Sequence, residues 1–193
     1  MKRSKRIKII LALESHISEI AELHLNTLMY GIYAKLGYGF LVKYYRRSIE
    51  NKNKIFIALV ANNIVGFLEL KKSGNEKFSL DLPVLGKLLK LFFQDPRYIY
   101  LVYRRLLSSK FEEKGALEIS NFSVRKAFRS KGFGRALLKK AIDEALEKKL
   151  NIFTYTHNKK LARFYVRKYN ASIETEDNLI VYKSYYCKFN LNE

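Results

Sequence analysis

The chain has 193 residues, 48% of them hydrophobic and 14% aromatic, which suits one domain with a real core and argues against disorder. Its single cysteine, Cys187, excludes an internal disulfide and any multi-cysteine zinc site. A formal charge of +19 favours anionic partners: nucleic acid, an anionic lipid surface, or a multiply phosphorylated cofactor or substrate.

The first segment, Met1-Lys2-Arg3-Ser4-Lys5-Arg6, is basic, and the apolar run after it, Ile9 to Leu13, stops at Glu14. That run is too short for a signal-peptide core, and no later stretch approaches the roughly 18–20 apolar residues of a membrane span. The expectation is a soluble, cytoplasmic protein. Ile7 to Leu13 is β-rich and predicts a first strand. Glu14-Ser15 can cap a helix carrying Ile17, Ile20, Ala21, Leu23 and Leu28 at helical spacing. Gly31 and Gly37-Tyr38-Gly39 break it, and a second helix runs through Phe40, Leu41, Tyr44, Tyr45 and Ile49. Residues 55–60 and 64–70 read as a β-hairpin turned by Ala61-Asn62-Asn63, since Asn tolerates positive φ.

Residues 82–93 predict a helix that ends before Asp95-Pro96, and Tyr98 to Leu107 predicts another. A strand over 117–124, a helix from about Gly132 to Lys149, a short strand over 152–156 and a helix from Lys159 to Lys168 follow. Two closing strands are expected, Ala171 to Glu174 and Leu179 to Tyr186. Strands interleaved with helices, with hairpins at both ends, imply an α+β or α/β mixed sheet.

The most informative segment joins the strand Leu117-Glu118-Ile119-Ser120-Asn121-Phe122-Ser123-Val124 to Arg129-Ser130-Lys131-Gly132-Phe133-Gly134-Arg135 at the head of a helix. The first N–H groups of a helix have no partner within it, and its N-terminus carries about half a positive charge. Gly132 and Gly134 allow close backbone approach, and Arg129, Lys131 and Arg135 add cationic donors. A phosphate or pyrophosphate suits such a place. The ATP-binding pattern G-x-x-x-x-G-K-[ST] is absent, and the dinucleotide pattern G-x-G-x-x-G/A fails at Leu137.

The remaining pattern, R-x-x-G-x-G after a strand ending in Val, resembles the acyl-CoA pyrophosphate loop of the GNAT N-acetyltransferase superfamily. The order of elements is similar over most of the chain. The resemblance implies an α+β domain spanning residues 1–193, with a mixed, mostly antiparallel sheet splayed between its fourth and fifth strands and flanked by helices. Residues 75–113 exceed the superfamily's usual connection and are expected to form a helical insert before strand four. Acetyl-CoA is the implied co-substrate, with no metal. The histidines His16, His24 and His157 are not spaced as a metal site, and His157, beside Asn158 at a strand end, reads as a surface or packing residue.

The resemblance also implies roles. Phe122, Ser123 and Val124 would pair with the pantetheine arm like an added strand. Arg129, Ser130, Lys131, Gly132, Phe133, Gly134 and Arg135 would hold the pyrophosphate. Asn158-Lys159-Lys160-Leu161-Ala162-Arg163-Phe164-Tyr165 resembles the N-x-x-A-x-x-F-Y helix, with Leu161 where alanine is common. Asn158 would contact the cofactor, and Tyr165 would protonate the leaving thiolate. Glu118 lies where some members carry a general base, a water chain being the other device. Strand alternation puts Glu118, Ser120, Phe122 and Val124 on one face.

The expected reaction is acetyl transfer to a primary amine of a small molecule by direct attack in a ternary complex. The high positive charge favours an anionic or sugar-nucleotide acceptor. Protein lysines or N-termini are the alternative acceptors, and acyl groups longer than acetyl stay open. The aromatics among the basic residues of 98–105 also suit a nucleic-acid-binding module without catalysis, although no nucleic-acid-reading motif is present. Segment 82–107 mixes apolar and basic residues as a peripheral anionic-membrane contact would, against the plainer reading of an insert that walls the acceptor pocket. A monomer or a homodimer fits equally.

Overall fold

Seven strands form one mixed sheet in a computed structural model that describes residues 7–29, 31–73, 82–95, 115–156, 158–178 and 183–191. β1 (Lys8–Leu11), β2 (Lys54–Val60), β3 (Asn63–Lys72) and β4 (Leu117–Val124) are successive antiparallel neighbours. β5 (Ile152–Thr156) is parallel to β4. β7 (Lys183–Phe189) lies antiparallel between β5 and β6 (Ala171–Asn178). The fold is the expected α+β arrangement. The β2–β3 turn places Ala61 at φ 48° and Asn62 at φ 65°, the left-handed pair that a tight hairpin needs.

The helices are α1 (Ile17–Thr27), α2 (Ile32–Leu36), α3 (Tyr38–Glu50), α4 (Leu82–Gln94), α5 (Phe133–Glu147) and α6 (Lys159–Tyr169). Two differ from expectation for local reasons. A short 3-10 turn, Glu14–His16, precedes α1, and the His16 Nδ1 accepts the Leu13 N–H at 2.9 Å, so His16 supplies the cap expected of Glu14-Ser15. Gly31 and Gly37 bracket the extra helix α2, where the sequence suggested only a break. The last strand runs on to Phe189, beyond the expected end at Tyr186. The helix expected over 98–107, His157, and the start of the strand expected from Leu179 lie outside the described residues.

The sheet is buried on both faces, which explains the nearly continuous apolar runs of β2 and β3. On one face Ile17, Ile20, Leu23, Leu41 and Tyr45 of α1 and α3 pack against Ile55, Ile57, Ile64 and Phe67. On the other, Leu137, Leu138, Ala141, Ala162 and Tyr165 of α5 and α6 pack against Leu68, Leu70, Ile119, Ile152 and Phe189. A 2.6 Å salt bridge from Lys54 to Glu144 ties the α5 C-terminal half to β2. Among the described residues no helix is long and apolar enough to cross a membrane.

One core group titrates in an accessible range. His24 is 2% exposed, its Nδ1 lies 2.6 Å from the Tyr45 hydroxyl, and its ring stacks on Phe67. Burial lowers its pKa to about 4, so the folded state holds it neutral while the unfolded chain protonates near pH 6.5. The unfolded state therefore binds the extra proton, and stability falls as pH drops from about 6.5 to about 4, by about 3 kcal/mol in total. His24→Gln removes this proton uptake. Urea unfolding across that window is expected to show a wild-type-minus-variant difference that shrinks with acid; a constant difference would refute the assignment.

Candidate active site

β4 is the centre of the site because it is paired on both sides for only part of its length. Leu117 to Val124 pair with β3 throughout, apart from the bulged Ser120, whereas β5 meets β4 only at Leu117↔Ile152, Glu118↔Phe153 and Ile119↔Thr154. Thr154 closes the junction by donating its hydroxyl to the Ile119 carbonyl at 2.9 Å. Beyond it β5 continues with β7, and the β5-facing edge of residues 120–124 has no strand partner among the described residues. Exposed strand edges of this kind accept an extended ligand by backbone hydrogen bonding.

A β-bulge changes which side chains share a face. Leu70 pairs with Ile119 and the next β3 residue, Glu69, pairs with Asn121, so Ser120 is the extra residue. The expected face of Glu118, Ser120, Phe122 and Val124 is thereby corrected. Glu118 shares its face with Asn121 and Ser123, while Phe122 and Val124 turn to the opposite, α5 side with Leu117 and Ile119.

The Glu118 face carries a buried polar network. Glu69, Lys71 and Glu118 are 0, 3 and 6% exposed. Glu69 Oε2 accepts from the Tyr44 hydroxyl at 2.9 Å and from Asn121 Nδ2 at 2.6 Å, and its Oε1 accepts from Ser48 Oγ at 2.5 Å. Lys71 Nζ lies 3.7 Å from Glu69 Oε1 and 4.5 Å above the Tyr44 ring, and Lys71 stands opposite Glu118 in the ladder. Buried charge requires such compensation. Sequence reasoning missed Glu69, Lys71, Asn121, Tyr44 and Ser48. The available signal was Glu69 and Lys71 at i, i+2 in an otherwise apolar strand, which puts two opposite charges on one face.

The loop after β4 behaves differently at its two glycines. Gly132 caps α5 at φ 89°, and Ser130 before it is also left-handed at φ 60°. A Cβ on Gly134 would come within 3.3 Å of the Phe122 ring, so Gly134 lets α5 lie against β4. The α5 N-terminus has no side-chain cap, and its first turn closes with Ala136 N–H on the Gly132 carbonyl; the N–H groups of residues 133–135 lie before the first intrahelical bond. Arg129, Lys131 and Arg135 are exposed around it, whereas Phe133 is buried in the core. Arg129 Nε donates to the Val124 carbonyl at 3.0 Å, fixing the strand end.

α6 presents the opposite case. Asn158 Oδ1 accepts from Lys160 N–H at 3.0 Å and Leu161 N–H at 3.2 Å, so this helix end is filled by its own cap. Tyr165 is 1% exposed, with its ring 5.3 Å from Phe189. Burial, with Cys187 and Tyr169 beside it, pushes its phenol far above the ordinary value, so the hydroxyl keeps its proton. Tyr169, raised by burial, feels the opposing cation of Arg135, which brings the end of α6 to the start of α5. Glu118 and Tyr165 lie on opposite faces of the sheet.

The sequence matches the Acetyltransferase (GNAT) family over residues 18–170, and the chain belongs to that family. No curated protein matches it in sequence. Among solved structures, the fold is similar to arylalkylamine N-acetyltransferase 2 from Aedes aegypti (TM-score 0.66, 15% identity, covering 97% of this chain and 100% of that one). It is also similar to yncA, a putative acetyltransferase from Salmonella typhimurium solved with its cofactor acetyl-CoA (TM-score 0.64, 12% identity, 97% and 95% covered). A third is the paia N-acetyltransferase from Thermoplasma acidophilum in complex with coenzyme A (TM-score 0.58, 14% identity, 95% and 98% covered).

Gly66, opposite Val124, sets how closely β3 and β4 approach at the splayed end. A Cβ there would meet the Ser123 carbonyl oxygen at 2.9 Å and Val124 Cγ2 at 3.0 Å. Because the first contact is backbone, Gly66→Ala is expected to destabilise the fold by about 1–3 kcal/mol through overpacking. An unchanged denaturation midpoint would show that β4 can move away without cost.

Proposed function

We propose that residues 1–193 act as one acetyltransferase domain that transfers an acetyl group from acetyl-CoA to a primary amine of a small-molecule acceptor. Transfer occurs by direct attack while both substrates are bound. The observation that carries this reading is the uncapped N-terminus of α5, preceded by left-handed Ser130 and Gly132 and placed beside the half-paired end of β4. The two features fit one ligand with an anionic end and an extended amide-bearing arm. Phe122, Ser123 and Val124 offer backbone groups to the arm. The N–H groups near residues 130–135, with Arg129, Lys131 and Arg135, take the pyrophosphate. Asn158, whose Oδ1 caps α6, contacts the donor through its amide nitrogen.

Glu118 removes the proton that makes the acceptor an ammonium. The neutral amine then attacks the thioester carbonyl carbon, forming the C–N bond as the C–S bond breaks. Tyr165 donates its hydroxyl proton to the departing thiolate and recovers a proton from the acylated nitrogen. Glu118 releases its proton to water, so the sum is one amide, one thiol and one proton. Positioning of the two substrates supplies the larger share of the rate, and each proton transfer adds about 10^2 to 10^4-fold. Arg129, Lys131 and Arg135 are exposed around the start of α5, where a pyrophosphate would meet them.

Two experiments test the reading. Calorimetric titration with acetyl-CoA, with ADP as the control for phosphate attraction, is expected to give one-to-one binding tighter than ADP. The exposed pair Lys131→Glu with Arg135→Glu should weaken it at least tenfold; undiminished affinity would remove the loop assignment. Tyr165→Phe should lower turnover about 10^2-fold or more with acetyl-CoA affinity held, and normal turnover would remove the acid role.

A further inference from the structure

The outward side of α6 is a dense cationic surface. Lys159, Lys160, Arg163, Arg167 and Lys168 belong to a helix of 11 residues, and all of them are exposed. No acidic residue lies between Asn158 and Asn170. At about 100° per residue, Lys159, Lys160, Arg163 and Arg167 fall within an arc of about 100°. Ala162 and Tyr165 point the other way, into the core. The stripe from Lys159 to Arg167 is about 12 Å long, from the helical rise per residue. Arg167 Nε donates to the Arg163 carbonyl at 3.4 Å, which lays one long cationic side chain along the turn that carries the other.

Helix stability does not account for this arrangement. Lys159 and Lys160 occupy the first turn, where the macrodipole disfavours cations. Lys159–Arg163 and Arg163–Arg167 are like charges at i, i+4, which is also unfavourable. On α5, packed on the same side of the sheet, lysines are compensated: Lys139 lies 3.0 Å from Asp143, and Lys148 lies 3.0 Å from Glu144. Among the described residues the α6 cations make no ion pair. The whole chain carries 37 Lys and Arg against 18 Asp and Glu, so the excess is not offset elsewhere. Such a surface gains free energy by binding a polyanion whose counterions are then released.

The side chains select among polyanions. α6 spends its apolar side on the core, and Val166, 40% exposed, is the apolar residue beside the arc; a helix that enters a bilayer needs a free apolar face. Lys159, Lys160 and Lys168 outnumber the two arginines, and lysine is depleted at protein–protein interfaces, whereas nucleic-acid interfaces are strongly positive. The arc carries no aromatic ring of the kind on which single-stranded bases stack, so contact is made with the backbone alone.

We propose that the exposed face of α6 docks on the phosphodiester backbone of a double-stranded nucleic acid, independently of its sequence. The inference does not depend on the acetyl-CoA reading above. The test is fluorescence anisotropy with two labelled DNA duplexes of unrelated sequence, measured over a salt series. The two duplexes are expected to bind with matching affinities that fall steeply with salt. Lys160→Gln with Arg163→Gln and Arg167→Gln should weaken binding about tenfold or more at moderate salt. It should also flatten the log–log salt slope by about 2–3, since each phosphate contact contributes about 0.9. Lys159→Gln with Lys160→Gln serves if the first variant is unstable, and should weaken binding and flatten the slope by about 2. Removing equal charge across the sheet, at exposed Lys35, Lys43 and Arg47 of α2 and α3, should leave most of the affinity. The α6 variants should keep their affinity for acetyl-CoA. No duplex binding at moderate salt would overturn the proposal. So would an equal loss from the α2–α3 variant, which would mean that only the overall field acts. Binding of phosphatidylserine vesicles through the same α6 residues in place of the duplex would overturn it in favour of a membrane, and a matching fall in acetyl-CoA affinity would overturn it by assigning the face to the donor.

Discussion

The structure depends on β4 being hydrogen-bonded along one edge and only partly along the other. Three residue pairs join it to β5, and then the strands part. Such an opening costs unpaired backbone groups, and it survives because the strand is held from elsewhere. Gly66 brings β3 close against Ser123 and Val124, Arg129 takes the Val124 carbonyl, and Asn121 is bound to Glu69 and Tyr44. Thr154 marks where pairing ends by holding the Ile119 carbonyl. The opening is thus a supported feature of the sheet.

The single bulge at Ser120 gives that strand two uses. Before it, Leu117 and Ile119 face α5 and α6; after it, Phe122 and Val124 resume that side. The intervening residue keeps both sets apolar on the α5 side and leaves Glu118, Asn121 and Ser123 together on the α1–α3 side. A strand without the bulge would alternate through Ser120 and split the polar set between two faces. The cost of burying Glu69 and Lys71 there is met by Tyr44, Ser48 and Asn121, which supply three hydrogen bonds to one carboxylate.

Much of this was legible in the residues because it is written in local chemistry. The strand 117–124, the glycine-punctuated loop and the tyrosine helix are contiguous segments whose patterns speak without tertiary context. The strand bounds matched to the residue, and the α5 start shifted by one because Gly132 is its left-handed cap. The bulge was not legible: nothing in Ile119-Ser120-Asn121 announces which residue is extra, since register is decided by pairing with β3. The network was hidden for the same reason. Glu69, Asn121, Tyr44 and Ser48 lie on three elements, and only packing makes them neighbours. Glu118 was found by position, but its companions were misassigned by an alternation that the bulge interrupts.

The two helix ends nearest the splay show how sequence decides where an anion can bind. α6 begins with Asn158, whose side chain satisfies two of its own N–H groups. α5 begins with Gly132, which has no side chain to offer and whose left-handed backbone turns the chain into the helix. Equal macrodipoles therefore present unequal sites, one filled internally and one open to a ligand. Arg129, Lys131 and Arg135 cluster at the open end, and Tyr169 brings α6 beside Arg135. The capping residue, more than the charge of +19, distinguishes the two helix ends.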